Sequence, residues 1–183
     1  MPKVIFVMGL WIIWVIPFFV YRPKSKQVAV KKAPKARWGI LLQTIGFWSV
    51  FIPARTIWME PMQLWPTVGA TIFGALGIAL AGFGVRHLGN QWRIDAGLNA
   101  DHQMITTGPY SIVRHPIYAS MLAMFLMSAL QIGRLPFWPV GLLIFVVGVE
   151  IRIQAEDALL LSRFGTTFTA WKVRVPAYIP LLR

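Results

Sequence analysis

Five runs of apolar residues, each bounded by charge or by proline and glycine, leave this chain few architectures. They cover residues 4–21, 38–58, 66–87, 117–132 and 135–151. A helix needs about 17–25 apolar residues to cross a bilayer. The expected fold is therefore all-α, a polytopic membrane helix bundle of about five transmembrane helices. The last two runs are short, and only Gly133, Arg134, Leu135 and Pro136 separate them. That is a tight turn, so they form a C-terminal helical hairpin whose arms are short for a full crossing. A basic stretch, not a small-residue cleavage site, follows the first run. It reads as a retained transmembrane helix rather than a signal peptide.

The charges fix an orientation. Residues 22–37, "RPKSKQVAVKKAPKAR", hold seven Lys or Arg and no acid. By the positive-inside rule this segment is cytoplasmic. Alternation then places the N-terminus outside, and residues 86–114 and the C-terminal tail inside. Lys3, Arg55 and Arg134 are the basic residues left on the outer side. The net charge of +12 thus belongs to span flanks. Membrane lipids, and not nucleic acid, are its expected partners. The chain has no cysteine, which excludes disulfides, thiolate metal sites and cysteine nucleophiles. No metal site is expected. In the third run Ala70/Gly74 and Gly77/Ala81 recur at spacing four, the pattern that lets helix backbones approach closely in lipid.

Acids and histidines gather on the inner side: Asp95, Asp101, His102, His115, Glu156 and Asp157. Polar groups beside hydrocarbon are costly unless paired or hydrated, so their concentration marks a candidate site. In "TTGPYSIVRHPIYASML", residues 106–122, Pro116 is placed to start the fourth helix. His115 then sits at the cap, with Arg114 just before it and Tyr118 in the first turn. Such a helix start favours an anion. Without a ligand, Arg114 snorkels to lipid phosphate and His115 merely caps. Arg152 and Glu156 are four residues apart and share a helix face. Their order is the weaker one for an intrahelical pair, which suits Glu156 holding a cation and Arg152 an anion. Asp157 lies about 100° away from Glu156 and is expected to bind solvent or the helix N-terminal neighbour. The closing stretch, "GTTFTAWKVRVPAYIPLLR", is expected to fold back over the inner face as a lid or a lipid-resting tail, with Trp171 and Tyr178 at the interface.

Three blocks in this order resemble the isoprenylcysteine carboxyl methyltransferase and phospholipid methyltransferase superfamily. They are "HQMITTGPYSIVRHPIY", residues 102–118, "RIQAED", residues 152–157, with Phe164-Gly165 after it, and "RVPAYIP", residues 174–180. The resemblance covers the C-terminal half. It implies one integral membrane methyltransferase domain over residues 1–183, with two N-terminal spans in 1–65 and a cofactor-binding core in 66–183. It implies S-adenosylmethionine bound on the cytoplasmic side by residues matching His102, Gln103, Met104, Ile105, Tyr110, His115, Pro116, Ile117, Tyr118 and Glu156. Arg152 matches a substrate-binding arginine, and Arg152 with Arg114 would orient the acceptor in catalysis. Where the superfamily often has a glycine after the motif tyrosine, this chain has Ser120. Its paired glutamates are here Glu156-Asp157, and its two later tyrosines are here Phe168 and Trp171.

The implied activity is methyl transfer to a lipophilic small-molecule or lipidated substrate, with an isoprenylcysteine-like carboxylate as first candidate. Phospholipid amine or small-thiol methylation is the alternative within the class. Sterol reductases share a similar C-terminal region and make a nicotinamide-dependent oxidoreductase the alternative outside it. A non-catalytic lipid-binding bundle would leave the Arg152/Glu156 and Arg114/His115 pairs without a purpose.

Overall fold

A computed structural model describes residues 2–21, 30–52 and 60–180. Its helices are α1 (Pro2–Val20), α2 (Ala36–Ser49), α3 (Leu64–Leu88), α4 (Pro116–Ile132) and α5 (Phe137–Arg174). The regions around α1, α3 and α5 are long and apolar enough to cross a membrane; α4 is shorter and apolar. The bundle is thus the all-α membrane architecture expected. The helical part of the second run ends at Ser49. The rest of that run, 53–58, and half of the basic stretch, 22–29, lie outside the described residues.

The helices pair through small residues. On α2, Gly39, Gln43 and Gly46 are buried at alternating spacings of four and three. They meet Gly141, Phe145, Gly148 and Arg152 of α5. On α3, the small residues Gly74, Gly77 and Gly84 lie against Leu10 of α1 and Met127, Met124 and Pro116 of α4. This is the close packing expected of the third run. Lipid supplies no hydrophobic drive between spans, so backbone proximity and dispersion must hold them together. Trp11 and Trp14 of α1 donate to Ser128 and Ser120 of α4, at 3.0 and 3.2 Å. Met124, Phe125 and Met127 of α4 and Phe145 of α5 are fully or almost fully buried at the bundle centre.

The hairpin turn falls between Ile132 and Phe137 as expected. Its second arm does not stop at residue 151. α5 runs 38 residues, to Arg174, with a break at Gly165 (φ 52°). The roughly 28 residues before that break, at about 1.5 Å each, rise about 42 Å, more than the roughly 30 Å of bilayer hydrocarbon. Nothing from Arg152 to Phe164 breaks a helix, and Gln, Ala, Glu and Leu all favour one. The helix therefore projects beyond the membrane and carries Arg152, Glu156 and Asp157 with it.

Two short antiparallel strands, β1 (Lys31–Lys32) and β2 (Gly97–Leu98), tie the segment before α2 to the loop after α3. At the opposite end of the bundle, Glu60 accepts from Lys3 of α1 and from Arg134 of the hairpin turn.

Replacing Gly148 with alanine would put a Cβ 2.7 Å from the Gly39 carbonyl oxygen and 2.8 Å from the Gln43 nitrogen. Both are backbone atoms, so α2 and α5 must separate, at a cost of about 1–3 kcal/mol. Gly148→Ala should lower the melting temperature in detergent by about 2–10 °C. Gly9→Ala, whose new methyl meets nothing within 4 Å, should leave it unchanged or raise it. Equal melting of Gly148→Ala and wild type would contradict this packing.

Candidate functional site

The loop between α3 and α4 is built to cover something. After a 3-10 turn at Gly89–Gln91 it pairs through β2 and crosses back toward α5. Arg93 clamps it by donating to Asp95 (2.9 Å) and to Asn99 (2.7 Å). The hydrogen bond from Arg93, helped by Lys32, holds the Asp95 carboxyl below its ordinary pKa despite partial burial. Arg163 of α5 donates to the Ala100 carbonyl at 2.6 Å. The loop ends in a second 3-10 turn, Gly108–Ser111. Gly108 has φ 60° and the His87 ring pressed against it, so only glycine serves there.

Beneath this loop lies a cavity of about 540 Å³, within the usual size for a small-molecule site. His102, Gln103, Met104, Ile105, Tyr110, His115, Ile117, Tyr118, Arg152 and Glu156 all line it. Pro116 does not. It is buried and packs on Gly84 of α3, where its ring starts α4. The opposite wall was not anticipated from the sequence: Trp14, Val15, Phe18 and Phe19 of α1, with Met121 of α4. The roof, from Gln91 to Leu98, was also missed. Alternating helix and loop residues from distant parts of the chain carry no local signal of a shared cavity.

The polar floor is one connected cluster. Tyr118 donates its hydroxyl to Glu156. Arg152 lies 3.6 Å from Glu156, donates to the Ile94 carbonyl at 2.8 Å, and sits over the Tyr118 ring. His115 does not cap α4 with its side chain. Its Nδ1 faces Glu156 at 3.5 Å and its Nε2 faces Asp157 at 3.0 Å. Burial pulls the His115 pKa down, but its contacts with the two carboxylates outweigh that and raise it. His102 is pulled the other way, by burial first and then by Arg163 and Arg93. Burial drives the Tyr110 hydroxyl well above its ordinary pKa, so it stays a donor, aimed at the Gly84 carbonyl.

Two expectations need correcting. Asp157 does not face solvent. It is buried, and Arg114, His115 and Lys172 all converge on it. The 100° step from Glu156 was right, but the face it reaches is covered by the tail and by the start of α4. Trp171 and Tyr178 are likewise buried rather than interfacial. After Gly165 the chain turns, and Phe168 and Trp171 pack with Tyr110 and Val175. The tail does fold back: the carbonyls of Pro176 and Ala177 accept from the backbone N–H groups of Arg114 and His115, at 2.8 and 2.7 Å. Tyr178 donates to Glu150 at 2.9 Å.

Arg114 is buried too, so it does not reach lipid phosphate. It touches the cavity wall, but its guanidinium is directed to Asp157 and to the Lys172 and Val175 carbonyls. A cation there satisfies the free carbonyls that end a helix. Among the described residues, five of seven buried polar atoms lacking a partner belong to cavity-lining residues: Gln91 Oε1, His102 Nδ1, Arg114 Nε, Arg152 Nε and Trp171 Nε1. Buried polar groups are normally satisfied, so this grouping fits a polar ligand.

Replacing Arg114 with lysine keeps the charge but loses the planar fork. Arg114→Lys should cost about 1–3 kcal/mol and expose the tail, giving faster tryptic cleavage at Lys172 and Arg174. Unchanged cleavage kinetics would show that Arg114 does not hold the tail.

Comparison with known proteins supplies the context. Residues 70–162 match the model of the Isoprenylcysteine carboxyl methyltransferase (ICMT) family. The chain is 32% identical over 84 residues to the protein-S-isoprenylcysteine O-methyltransferase of Schizosaccharomyces pombe, covering 46% of this chain and 36% of that protein. It is 29% identical over 126 residues to the cobalt-zinc-cadmium resistance protein CzcN of Cupriavidus metallidurans, covering 68% and 52%. It is 26% identical over 180 residues to the protein-S-isoprenylcysteine O-methyltransferase of Dictyostelium discoideum, covering 92% and 70%. The chain therefore spans about a third and a half of the lengths of the first two of these relatives. The matched region runs from Ala70 in α3 through the roof loop and α4 to Ser162 in α5, and takes in His102, His115, Tyr118, Arg152, Glu156 and Asp157. This chain belongs to the isoprenylcysteine carboxyl methyltransferase family.

Proposed function

We propose that the protein transfers a methyl group from S-adenosylmethionine to the carboxylate of a lipophilic acceptor of the isoprenylcysteine type. One observation carries this: a single cavity has a polar end and an apolar end. His102, His115, Arg152 and Glu156 form the first; Trp14, Val15, Phe18 and Met121 form the second. A plain lipid-binding bundle gives no reason for a charged cluster beside an apolar wall. The names of two relatives point the same way.

S-adenosylmethionine supplies a methyl group on a sulfonium, ready for in-line displacement. The unpartnered atoms of Gln91, His102 and Trp171 suit its adenosine part. Glu156 suits its ammonium and His115 its carboxylate. Tyr118 keeps Glu156 turned toward the cavity. Arg152, anchored on the Ile94 carbonyl, orients the acceptor carboxylate. A carboxylate is already ionised near neutral pH, so no general base is required. Charge is neutralised as the methyl moves, so the roof loop and the α1 aromatics help by excluding water and aligning the partners. The acceptor's apolar chain lies along the wall of α1 residues and Met121. The distribution of Lys and Arg supports an outer N-terminus and a cytoplasmic cavity. Residues 1–65 are read as two N-terminal spans, of which α1 supplies cavity wall, beside a cofactor-binding core of residues 66–183.

Calorimetry with S-adenosylhomocysteine on the detergent-purified protein tests the donor site. Wild type should bind, and a reduced nicotinamide cofactor should not. Glu156→Ala should weaken binding about 10- to 100-fold. Arg152→Ala should keep the affinity within about threefold while losing turnover. No binding of S-adenosylhomocysteine at millimolar concentration would overturn the proposal, and equal affinity in wild type and Glu156→Ala would remove the role of Glu156.

A further inference from the structure

His115 has two carboxylate neighbours, and they are not equivalent. Its Nε2 is in hydrogen-bond contact with Asp157 Oδ1 at 3.0 Å. Its Nδ1 is only within ion-pair range of Glu156 Oε2, at 3.5 Å. Asp157 lies outside the group lining the first cavity, whereas Glu156 and His115 lie within it. The first contact is the shorter one, to a residue outside the cavity lining; the second is longer, between two residues of the lining.

We infer that Asp157 is a positioning residue: it holds the His115 ring as a charged donor, with Nδ1–H presented to the cavity for the carboxylate of the bound methyl donor. This role rests on the cavity being the methyl-donor site. An amino-acid zwitterion fits between the two lining partners. Its carboxylate takes the Nδ1–H of His115 and its ammonium takes Glu156, so one ion pair is exchanged for two.

The surroundings support the asymmetry. From α5, Asp157 and Glu156 face the ring, with Arg152 behind Glu156 and Lys172 3.0 Å from Asp157. From the start of α4 come Arg114, 3.3 Å from Asp157, and the Tyr118 ring, 5.7 Å away. The tail supplies the Ala177 carbonyl, which accepts from the His115 backbone N–H and fixes the backbone beneath the ring. Asp157 is thus compensated by cations on its far side, as a buried carboxylate must be. It presents one oxygen to His115. Carboxylate–imidazole pairs set both ring orientation and tautomer in this way.

The protein has three histidines, so nitrogen NMR of labelled imidazoles can follow each one, with His115→Gln assigning the signals. The wild-type His115 should remain an imidazolium to a pH about one unit above its midpoint in Asp157→Asn. S-adenosylhomocysteine affinity should fall through the same midpoints, so that above both of them Asp157→Asn binds about tenfold more weakly. Below both midpoints the two proteins should bind alike, which a merely structural defect would not give. Identical His115 titration in the two proteins overturns the proposal. Should Asp157→Asn fail to fold, the titration of Glu156→Gln decides, since Asp157 is then the carboxylate left at the ring. A His115 already neutral at its ordinary pKa of 6.5 overturns the proposal, and one still charged there supports it. No binding by wild type at any pH, with the titration difference intact, overturns the donor-site assignment instead.

Discussion

Two adjacent carboxylates on one helix must each find partners before this bundle can close. Burying an unpaired charge costs several kcal/mol, and Glu156 and Asp157 are separated by a single 100° step. One neighbouring surface can serve both only by dividing its side chains between them. The turn that starts α4 does so by splitting its side chains. His115 stands between the two acids, Arg114 goes to Asp157, and Tyr118 goes to Glu156. Everything near the site follows from that junction. It sets the position of α5 against α4 where their backbones make few other contacts. It also gives the tail its anchor, through the Arg114 and His115 backbone.

The glycine-lined interfaces make the junction possible. α2 lies so close to α5 that the Arg152 stem rests on Gly39, which fixes where the guanidinium emerges. α3 lies so close to α4 that Pro116 rests on Gly84, which fixes where α4 begins. Dispersion between close backbones, the main attraction available in lipid, is thereby converted into the placement of an arginine and a histidine. The roof loop completes the enclosure. It is held by the β1–β2 pairing, by Arg93 and Arg163, and by Arg152 on the Ile94 carbonyl.

What could be read in the sequence was local. Pro116 announced the start of α4, Gly133 to Pro136 announced the hairpin, and spacing of small residues announced the α3 interface. Arg152 and Glu156, four apart, were legible as one face because helix geometry alone relates them. Asp157 was not, because its partners lie 42 and 43 residues away, and 15 residues on across a break. Arg114 stood open between ligand clamp and lipid anchor because only the fold brings the end of α5 to it. The length of α5 was underestimated for a different reason. Hydropathy stops at the membrane surface, but helix propensity does not. The α1 wall of the cavity was hidden because Trp14, Val15 and Phe18 read as lipid-facing or packing residues, and nothing in their own spacing says which.

The proposed chemistry brings a methyl donor at the polar end of the cavity to a carboxylate carried on an apolar chain. The direct measurement is transfer of labelled methyl from S-adenosylmethionine to S-farnesylcysteine by the purified protein in lipid, with base hydrolysis of the product. The account predicts a label released as methanol by mild base, as from an ester, and its loss when Arg152 is replaced. Label retained through base, as on an amine or thiol, or no transfer to the prenylated acid by a protein that binds S-adenosylhomocysteine, would contradict it.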